Sequence, residues 1–266
     1  QMKEVRIVSL ADYVDMVCSL AGRTVQFRGA KDPVDGMTST VVRSWARNRR
    51  IREDTGDEQK LPLWRYEARL IEAFQRQSLP FLEAVPDCHL NWLAVAQHHQ
   101  LPTRLLDWTR NPLIALYFAV SERGAYRPAG DWDDAFVFMW EIGDEEQEHR
   151  QILAMDRVRD MVPREGGVIG DGGADDPGVL LFNPPIISSR IASQEGLFSF
   201  ETRLSGTPFP EMAEAVGLEL TRILIPGPMR LDILKHLNRL GVESGRLFPD
   251  LPGLCAHQSW VAEWLW

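Results

Sequence analysis

The chain has 266 residues, of which 44% are hydrophobic and 25% charged, and its formal net charge is −9. This is the composition of a globular protein with a core large enough for one domain, which we predict over residues 2–266. The acidic balance excludes a surface broadly covered with phosphate-binding cations, although a local basic patch remains compatible with it.

The sequence also bears on cellular location. No apolar run reaches the roughly 20 residues needed to cross a bilayer, and the N-terminal segment lacks the apolar core of a signal peptide. A cytoplasmic location without membrane contact is therefore expected. The three cysteines, Cys18, Cys88 and Cys255, are odd in number and far apart, which favours buried free thiols over a disulfide framework.

Helical periodicity dominates the first half of the chain. A helix is predicted after Ser9, which is a suitable N-cap, and an alternating pattern predicts a strand over Thr24–Arg28 that ends at Gly29. Three further helices are predicted over 38–50, 63–77 and 90–97, and the second of them has an apolar face at helical spacing. We interpret residues 38–100 as a helical insertion.

Strands recur in the second half of the chain. Runs of β-branched and aromatic residues predict strands over 135–142, 179–182, 197–202 and 218–225. Residues 163–178 hold six glycines and four acids without periodicity, which predicts a flexible loop or lid and not a phosphate-binding loop. Because strict βαβ alternation is missing, we predict an α+β fold with a mixed or antiparallel central sheet and a helical N-terminal half.

Phe27-Arg28-Gly29 stands at the end of the first long predicted strand. The guanidinium fork of an arginine there suits a phosphate or pyrophosphate, and a glycine beside it lets a ligand approach the backbone. The alternative is an arginine that pairs with a carboxylate at the edge of the domain.

The densest polar cluster of the chain contains Arg104, Asp107, Thr109 and Asn111. On a strand, Asp107 and Thr109 would face the same side, next to a helix that begins at Pro112. A strand end beside a helix N-terminus offers free N–H groups to an anionic ligand. In the structural alternative, Thr109 or Asn111 caps the helix while Asp107 pairs with Arg104.

His98 and His99 precede this cluster. Adjacent residues of a helix point about 100° apart, so a shared metal ion is disfavoured. Cys88 and His89 do not extend the pair to a familiar zinc spacing, and no metal is expected. The two histidines are interpreted as supports of the site, or as site residues.

Two other segments carry polar groups of interest. Gln194-Glu195-Gly196 precedes a predicted strand and either presents its amide or carboxylate to a cleft or forms an ordinary turn. Glu67 lies on a predicted helix and has the pattern of an ordinary helical glutamate. A local basic patch, the arginine cluster, comprises Arg43, Arg47, Arg49, Arg50 and Arg52.

These motifs together resemble the FRG family, which is named for the Phe-Arg-Gly at Phe27–Gly29. Its longest motif is similar to AQHHQLPTRLLDWTRNPLIALYFA at Ala96–Ala119. Other motifs are similar to RIASQEGLF at Arg190–Phe198, ILIPGPMR at Ile223–Arg230 and LFPDL at Leu247–Leu251. The resemblance spans roughly Val5 to Ala256 and implies one FRG-type domain.

A second resemblance is to arginine-serine-glutamate ADP-ribosyltransferases. Phe27–Gly29 resembles their aromatic-Arg-Gly strand, and Leu106–Thr109 followed by Ala115–Ala119 resembles their Ser-Thr-Ser strand and helix. Gln194–Gly196 resembles the strand that bears the catalytic glutamate. Asp-Trp-Thr departs from Ser-Thr-Ser, and Glu195, Gln194 and Glu67 all stay candidates for the catalytic group.

This resemblance implies an ADP-ribosyltransferase-like fold with NAD as substrate. Cleavage of the nicotinamide–ribose bond passes through an oxocarbenium-like state, as in glycoside hydrolysis, so the site needs a pyrophosphate clamp and a stabilised positive charge. The implied catalytic residues include Arg28 and Thr109. The implied NAD-binding residues are Phe27, Arg28, Gly29, His98, Arg104, Asp107, Trp108, Thr109 and Asn111.

The leading hypothesis is an NAD-dependent ADP-ribosyltransferase that modifies a macromolecule. A DNA or RNA base is the acceptor favoured by Arg43, Arg47, Arg49 and Arg50. Such an enzyme suits a bacterial toxin or antiphage effector, which would have an antitoxin or immunity partner. The alternatives are a metal-dependent nuclease or phosphodiesterase that uses His98, His99 and Asp107, and a non-catalytic module that binds a nucleotide or nucleic acid.

Overall fold

The computed structural model describes residues 2–56, 61–121, 128, 131–143, 151–170, 178–184 and 192–265. The strands in these residues are β1 Lys3–Arg6, β2 Thr24–Ala30, β3 Leu106–Thr109, β4 Ala135–Ile142, β5 Ile152–Leu153, β6 Val162–Pro163, β7 Ile169–Gly170, β8 Val179–Phe182, β9 Gly196–Glu201 and β10 Glu219–Ile225. The α-helices are α1 Leu10–Cys18, α2 Thr40–Asp54, α3 Leu63–Ser78, α4 His89–His98, α5 Pro112–Val120, α6 Met155–Asp160, α7 Phe209–Ala215, α8 Arg230–Arg239, α9 Ser244–Leu247 and α10 Leu251–Trp264.

One mixed sheet organises the molecule. Its eight strands follow the order β1-β10-β4-β2-β3-β9-β8-β5. The outermost pairs, β1–β10 and β5–β8, are parallel, and the inner neighbours are antiparallel. The predicted α+β class with a mixed central sheet is therefore confirmed.

The pairing between neighbouring strands of the sheet is shortest between β2 and β3. Strand β2 pairs with β4 over its whole length, from Thr24 to Ala30, but with β3 only where Phe27 faces Thr109. Strand β3 in turn pairs with β9 at all of its residues, Leu106–Thr109. The sequence motifs at Phe27–Gly29 and Asp107–Thr109 thus meet at this junction.

Both faces of the sheet are covered by apolar residues. Alternate side chains of β4 divide between two clusters, with Val137 packing beside residues of α5 and α8, and Phe138 packing beside Trp108 and Phe209. A strand that is buried on both faces needs a continuous apolar run. This explains why AFVFMWEI, over 135–142, was predicted with the correct bounds.

Helix α5 lies directly against β2 because Gly29 has no side chain. A Cβ atom at Gly29 would lie 2.0 Å from the carbonyl oxygen of Ala115 and 2.6 Å from the amide nitrogen of Ala119. The helix starts at the predicted place, with Pro112 in its first turn and the Asn111 side chain accepting from the amide of Leu113 at 3.0 Å. The absence of a side chain at Gly29 thus makes room for α5, and its role beside a ligand stays a prediction.

Several local predictions differ from the structure. Strand β2 continues through Gly29 to Ala30, because neighbouring β4 pairs with it there. Residues 163–170 form the β6–β7 hairpin around a 3-10 turn at Glu165–Gly167, and 171–177 lie outside the described residues, where the flexible loop stays a prediction.

The structure tests two predictions made from composition: the state of the cysteines and the absence of membrane-spanning helices. All three thiols are free, as predicted, but Cys18 and Cys255 are exposed, so the prediction that they are buried is wrong for these two. Both sit on helices, Cys18 at the end of α1 and Cys255 within α10. Among the helices that the structure describes, none combines the length and the apolar character that a membrane span requires.

Candidate functional site

A cavity of about 400 Å³, the junction cavity, lies where β2, β3 and β9 meet. Its walls include Phe27, Arg28, Gly29, Lys31, Gly36, Gln97, His98, Gln100, Asp107, Trp108, Thr109, Phe118, Gln194 and Phe198. This volume is in the range of small-molecule sites. The fold therefore brings three motifs that are far apart in sequence to one ligand-sized cavity.

Arg28 is held at the cavity by backbone oxygens. Its Nε donates to the carbonyl of Gly36 at 2.8 Å, and its Nη1 donates to the carbonyl of Asp107 at 2.7 Å. The side chain is 15% exposed, and no residue that the structure describes accepts a hydrogen bond from Nη2. Since a guanidinium carries five N–H donors, Arg28 is fixed in place and keeps donors for a ligand.

Charges around Arg28 act in both directions. Burial lowers the pKa of the guanidinium from its usual value, the Asp107 carboxylate raises it, and the nearby Arg43 lowers it again. A buried cation beside a second cation gains more from binding an anion than a solvated one does. This electrostatic setting favours a phosphate group.

Asp107 lines the junction cavity, and the partners of its carboxylate are residues of the same cavity wall. Its carboxylate lies 3.6 Å from Nη1 of Arg28 and accepts from Nε2 of Gln97 at 3.0 Å, so the predicted pairing with Arg104 is wrong. The Asp107 side chain is 59% exposed. Within the described part of the chain, it is the only carboxylate in the cavity wall.

Gln97 is a site residue that the sequence reasoning missed. Besides holding Asp107, its Oε1 accepts from the hydroxyl of Thr103 at 2.7 Å. Its position inside the long motif at Ala96–Ala119 is the signal that points to it. Gln97 and Arg28 therefore both contact the Asp107 carboxylate, through the same oxygen, Oδ2.

Thr109 and Asn111 hold the turn before β9. The Thr109 hydroxyl donates to the carbonyl of Gln194 at 2.8 Å and accepts from the amide of Asn111 at 3.1 Å. Asn111 Nδ2 donates to the Glu195 carboxylate at 3.1 Å, while its oxygen caps α5. Both predicted roles of this segment, helix capping and site wall, therefore occur together.

The turn itself places Gln194 and Glu195 differently. Gln194 lines the cavity, and its side-chain Nε2 donates to the carbonyl of Leu247 at 3.0 Å. Glu195 is exposed, has a left-handed backbone with φ of 47°, and does not belong to the cavity wall. A non-glycine residue in this region is uncommon and is held here by contacts on both sides.

Phe27 and Trp108 form fixed parts of the wall. They are 3% and 2% exposed, and the indole Nε1 of Trp108 donates to the hydroxyl of Ser199 at 2.9 Å. The ring of Trp108 meets that of Trp140 edge to face, with centroids 5.6 Å apart. Trp108 is thus a core residue that also lines the cavity.

Glu67 and Arg104 lie away from the junction cavity and pair with each other. Arg104 donates to the Glu67 carboxylate through its backbone amide at 3.0 Å and through Nε at 2.9 Å, and Nη2 pairs with the same carboxylate. Nη1 reaches the carbonyls of Gly167 at 2.9 Å and Glu201 at 3.1 Å. With exposed fractions of 5% and 3%, these side chains join α3 to the sheet, and their placement supports neither the catalytic nor the NAD-binding role.

Only one of the two adjacent histidines belongs to the wall of the junction cavity. His98 lines the cavity, whereas His99 does not, and their rings meet edge to face at 4.9 Å. In the ranges that the structure covers, no three His, Cys, Asp or Glu side chains are grouped so that they could hold a metal ion. Within those ranges, His98, His99 and Asp107 form no such group.

The arginine cluster on α2 is not uniform. Arg49 lies 3.5 Å from Glu53 and over the ring of Trp45, and Arg52 donates to Asn48 at 3.2 Å. Arg47 and Arg50 are exposed, and Arg43, one turn before Arg47, is close enough to Arg28 to affect its pKa. Arg43, Arg47 and Arg50, at i, i+4 and i+7, therefore follow one helix face away from the cavity.

The fold is α+β, and its arginine-anchored cavity lies where two strands of the central sheet have their shortest pairing. Residues 23–127, which include Phe27–Gly29 and the long motif at Ala96–Ala119, match the model of the FRG domain. No curated protein and no solved structure matches the chain.

Proposed function

We propose that this protein is an NAD-dependent ADP-ribosyltransferase with an ADP-ribosyltransferase-like fold, and that the junction cavity holds NAD. The observation that carries the proposal is the presence of Arg28, Asp107 and Gln194 on one cavity of about 400 Å³. A transferase needs an anion clamp and a group that stabilises positive charge at the ribose within one substrate's length. Arg28 on a separate cleft from the β3–β9 residues would have contradicted this function.

Arg28 is assigned to the pyrophosphate of NAD. Its Nη1 and Nε are used by backbone carbonyls, which fixes the plane of the guanidinium before substrate arrives. Prepositioned donors of this kind bind an anion without the entropy cost of ordering a long side chain. Arg43 adds positive charge on the same side.

Asp107 is assigned to the ribose. When the bond to nicotinamide breaks, its electron pair leaves with the nicotinamide and positive charge develops on the ribose, so a nearby carboxylate stabilises that state. Among the described wall residues only Asp107 has this charge, and Gln97 and Arg28 both contact it. Gln194 supplies an amide for the ribose hydroxyls, and Glu195 stands beside the cavity, tied to Asn111.

The acceptor is proposed to be a macromolecule, with a nucleic-acid base favoured. Arg43, Arg47 and Arg50 form a basic helix face that begins near Arg28, and such a face suits the phosphates of DNA or RNA. A transferase of this kind fits a toxin or antiphage effector in the cytoplasm, controlled by an antitoxin or immunity partner.

The direct experiment is incubation of the protein with radiolabelled NAD and DNA, RNA or protein acceptors. We expect Arg28→Ala to lower label transfer by about 100-fold or more, as loss of a prepositioned charged donor does elsewhere. Arg23→Ala is the matched control, because Arg23 lies on the approach to the same strand but pairs with Glu141 at 2.6 Å, outside the cavity. Thermal stabilisation by NAD without any turnover would instead favour the non-catalytic module.

A second comparison separates the candidate carboxylates. Asp107→Asn is expected to lower the transfer rate strongly, whereas Glu195→Gln is expected to have the smaller effect because Glu195 lies outside the cavity wall. The reverse order would move the catalytic role to Glu195, as the sequence suggested. Both substitutions preserve side-chain size, so their effects report charge.

A further inference from the structure

A second cavity, the helical cavity, lies beside the junction cavity. It has a volume of about 360 Å³ and is enclosed by residues of α5, α8 and α10 and the turn before α9. Gln100 lines both cavities, and the rings of Phe118 and Phe248, one from each wall, meet edge to face at 5.9 Å between them. The two cavities are thus neighbours across a thin partition.

Backbone features show that the partition is a fixed part of the fold. Gln100 has a left-handed backbone with φ of 65°, which a non-glycine residue adopts only when its surroundings hold it. Gly253 presses α10 against Phe248, since a Cβ at Gly253 would lie 2.0 Å from the Phe248 carbonyl oxygen. The helical cavity is therefore preformed, as ligand sites commonly are.

The walls combine aromatic faces with hydrogen-bond acceptors. Tyr117, Phe248 and Trp260 contribute rings, and Glu243 and Asp250 contribute carboxylates. No Lys or Arg stands among the described residues that line it, so phosphate is disfavoured inside. The Nε1 of Trp260 is buried, and no residue that the structure describes accepts a hydrogen bond from it.

The carboxylates have partners already, which decides between a cation and a neutral ligand. Glu243 accepts from Nε2 of His257 at 3.0 Å and lies 3.7 Å from Arg246, and Asp250 caps α10 by accepting from Gly253 at 2.7 Å. Arg246 offsets the charge of Glu243, so a full cation would gain little there for the hydration that it loses. The oxygens keep lone pairs, however, which suit the N–H of a neutral amino group.

We propose that the helical cavity binds a nucleobase with an exocyclic amino group, stacked on the aromatic rings with the amino group on Glu243. A flat ring with donors on its edge matches these walls, because aromatic faces stack on bases and carboxylates accept from the amino group of cytosine. As the seat of the acceptor base this site rests on the proposed function, whereas binding of the base does not depend on NAD chemistry.

The experiment measures nucleoside binding to the full chain by calorimetry, with cytidine and uridine as a pair that differs in the amino or oxo group at one ring position. Cytidine is expected to bind saturably, and uridine at least about tenfold more weakly, which is the size of one good base contact. Equal binding of the two, or no saturation by cytidine up to about 10 mM, overturns the proposal, since even a weak site is visible there.

Variants locate the binding. Glu243→Gln is expected to weaken cytidine about tenfold and to leave uridine nearly unchanged. The matched control Glu263→Gln, on the same helix as His257 but exposed, should leave cytidine binding intact. Trp260→Phe tests the same site without altering charge and should also weaken cytidine. Each variant is first checked for an unchanged melting temperature, and wild-type affinity in both Glu243→Gln and Trp260→Phe overturns the assignment.

Two further binding measurements distinguish a nucleobase site in the helical cavity from binding in the junction cavity and from a cation site. Arg28→Ala should leave cytidine affinity unchanged, and loss of binding in that variant would place the nucleoside in the junction cavity instead. Spermidine that binds more tightly than cytidine, through Glu243, would make the helical cavity a cation site. These binding measurements are made without NAD. They therefore test the helical cavity even if the protein has no transferase activity.

Discussion

Two arginine–carboxylate pairs in this molecule consist of the same chemical groups but differ in burial and in the role that we assign to them. Arg104 and Glu67 are 3% and 5% exposed, and the arginine is surrounded by a carboxylate and two backbone carbonyls. Arg28 and Asp107 are 15% and 59% exposed, their charged atoms are 3.6 Å apart, and both border a cavity. In Arg104 each of the three guanidinium nitrogens has a partner, which suits an arginine that maintains the fold. In Arg28 no described residue accepts a hydrogen bond from Nη2, which suits an arginine that binds a ligand.

The energetic consequences of the two pairs differ accordingly. Removing one member of a buried pair leaves the other as an uncompensated charge, which costs about 3–5 kcal/mol. An exposed pair is worth about 0–1 kcal/mol, because water and salt screen it. Measurements of the free energy of unfolding should therefore distinguish the roles of the two pairs more clearly than activity measurements alone.

The largest effect is expected for Glu67→Ala. We expect the free energy of unfolding to fall by about 3–5 kcal/mol, because Arg104 would be left buried without a counter-charge. Urea denaturation followed by circular dichroism measures this difference. Glu72→Ala, which removes an exposed carboxylate from the same helix, serves as control, and an equal loss in both variants would contradict the structural role of Glu67.

The next effect concerns pH and His89, which borders the Glu67–Arg104 pair. Burial lowers the pKa of His89 from 6.5 to about 4, so the folded protein holds this imidazole neutral. The unfolded chain binds the proton first as the pH falls. The contribution of His89 to stability is thus complete above pH 6.5 and is lost as the pH falls from there towards 4.

We expect this loss to reach about 2 kcal/mol between pH 7 and pH 5, as follows from the linkage of the pKa to stability. The measurement is the difference between wild type and His89→Gln in urea midpoints across that range, which cancels the titration of other groups. Parallel curves for the two proteins would show that His89 titrates normally in the folded state.

The smallest effect on stability is expected for Asp107→Ala. Its carboxylate is 59% exposed, and the strongest contact between this residue and Arg28 uses the backbone carbonyl, which the substitution keeps. The free energy of unfolding should change by less than about 1 kcal/mol in urea denaturation. Together with a strong loss of transfer activity, this result would mark Asp107 as a site residue; a loss near that of Glu67→Ala would remove the distinction between the pairs.

Local structure was largely predictable from the sequence. The bounds of β4 and β8, the capping of α1 by Ser9 and the start of α5 at Pro112 all follow from periodicity and capping, which act over a few residues. The motif at Phe27–Gly29 and the polar cluster around Asp107 and Thr109 were also correctly placed on one cavity.

The partners of the polar residues were not predictable in this way. One of the two alternatives paired Asp107 with Arg104, three residues before it, but Asp107 pairs with Arg28, and Arg104 pairs with Glu67. Pattern alone made Glu67 an ordinary surface residue of its helix. Contacts of this kind join residues 37 and 79 apart in the chain, and no local pattern encodes such distances.

The sequence by itself determined most of the longer elements, the resemblance to the FRG domain and the segments that meet at the site, because periodicity and short motifs are properties of neighbouring residues. Only the tertiary structure decided which arginine serves the fold and which faces a ligand. It also decided that Gly29 makes room for α5, and that Gln194 and not Glu195 lines the cavity. The physical reason is that burial and hydrogen-bond satisfaction, which separate a structural charge from a functional one, exist only after distant segments have packed together.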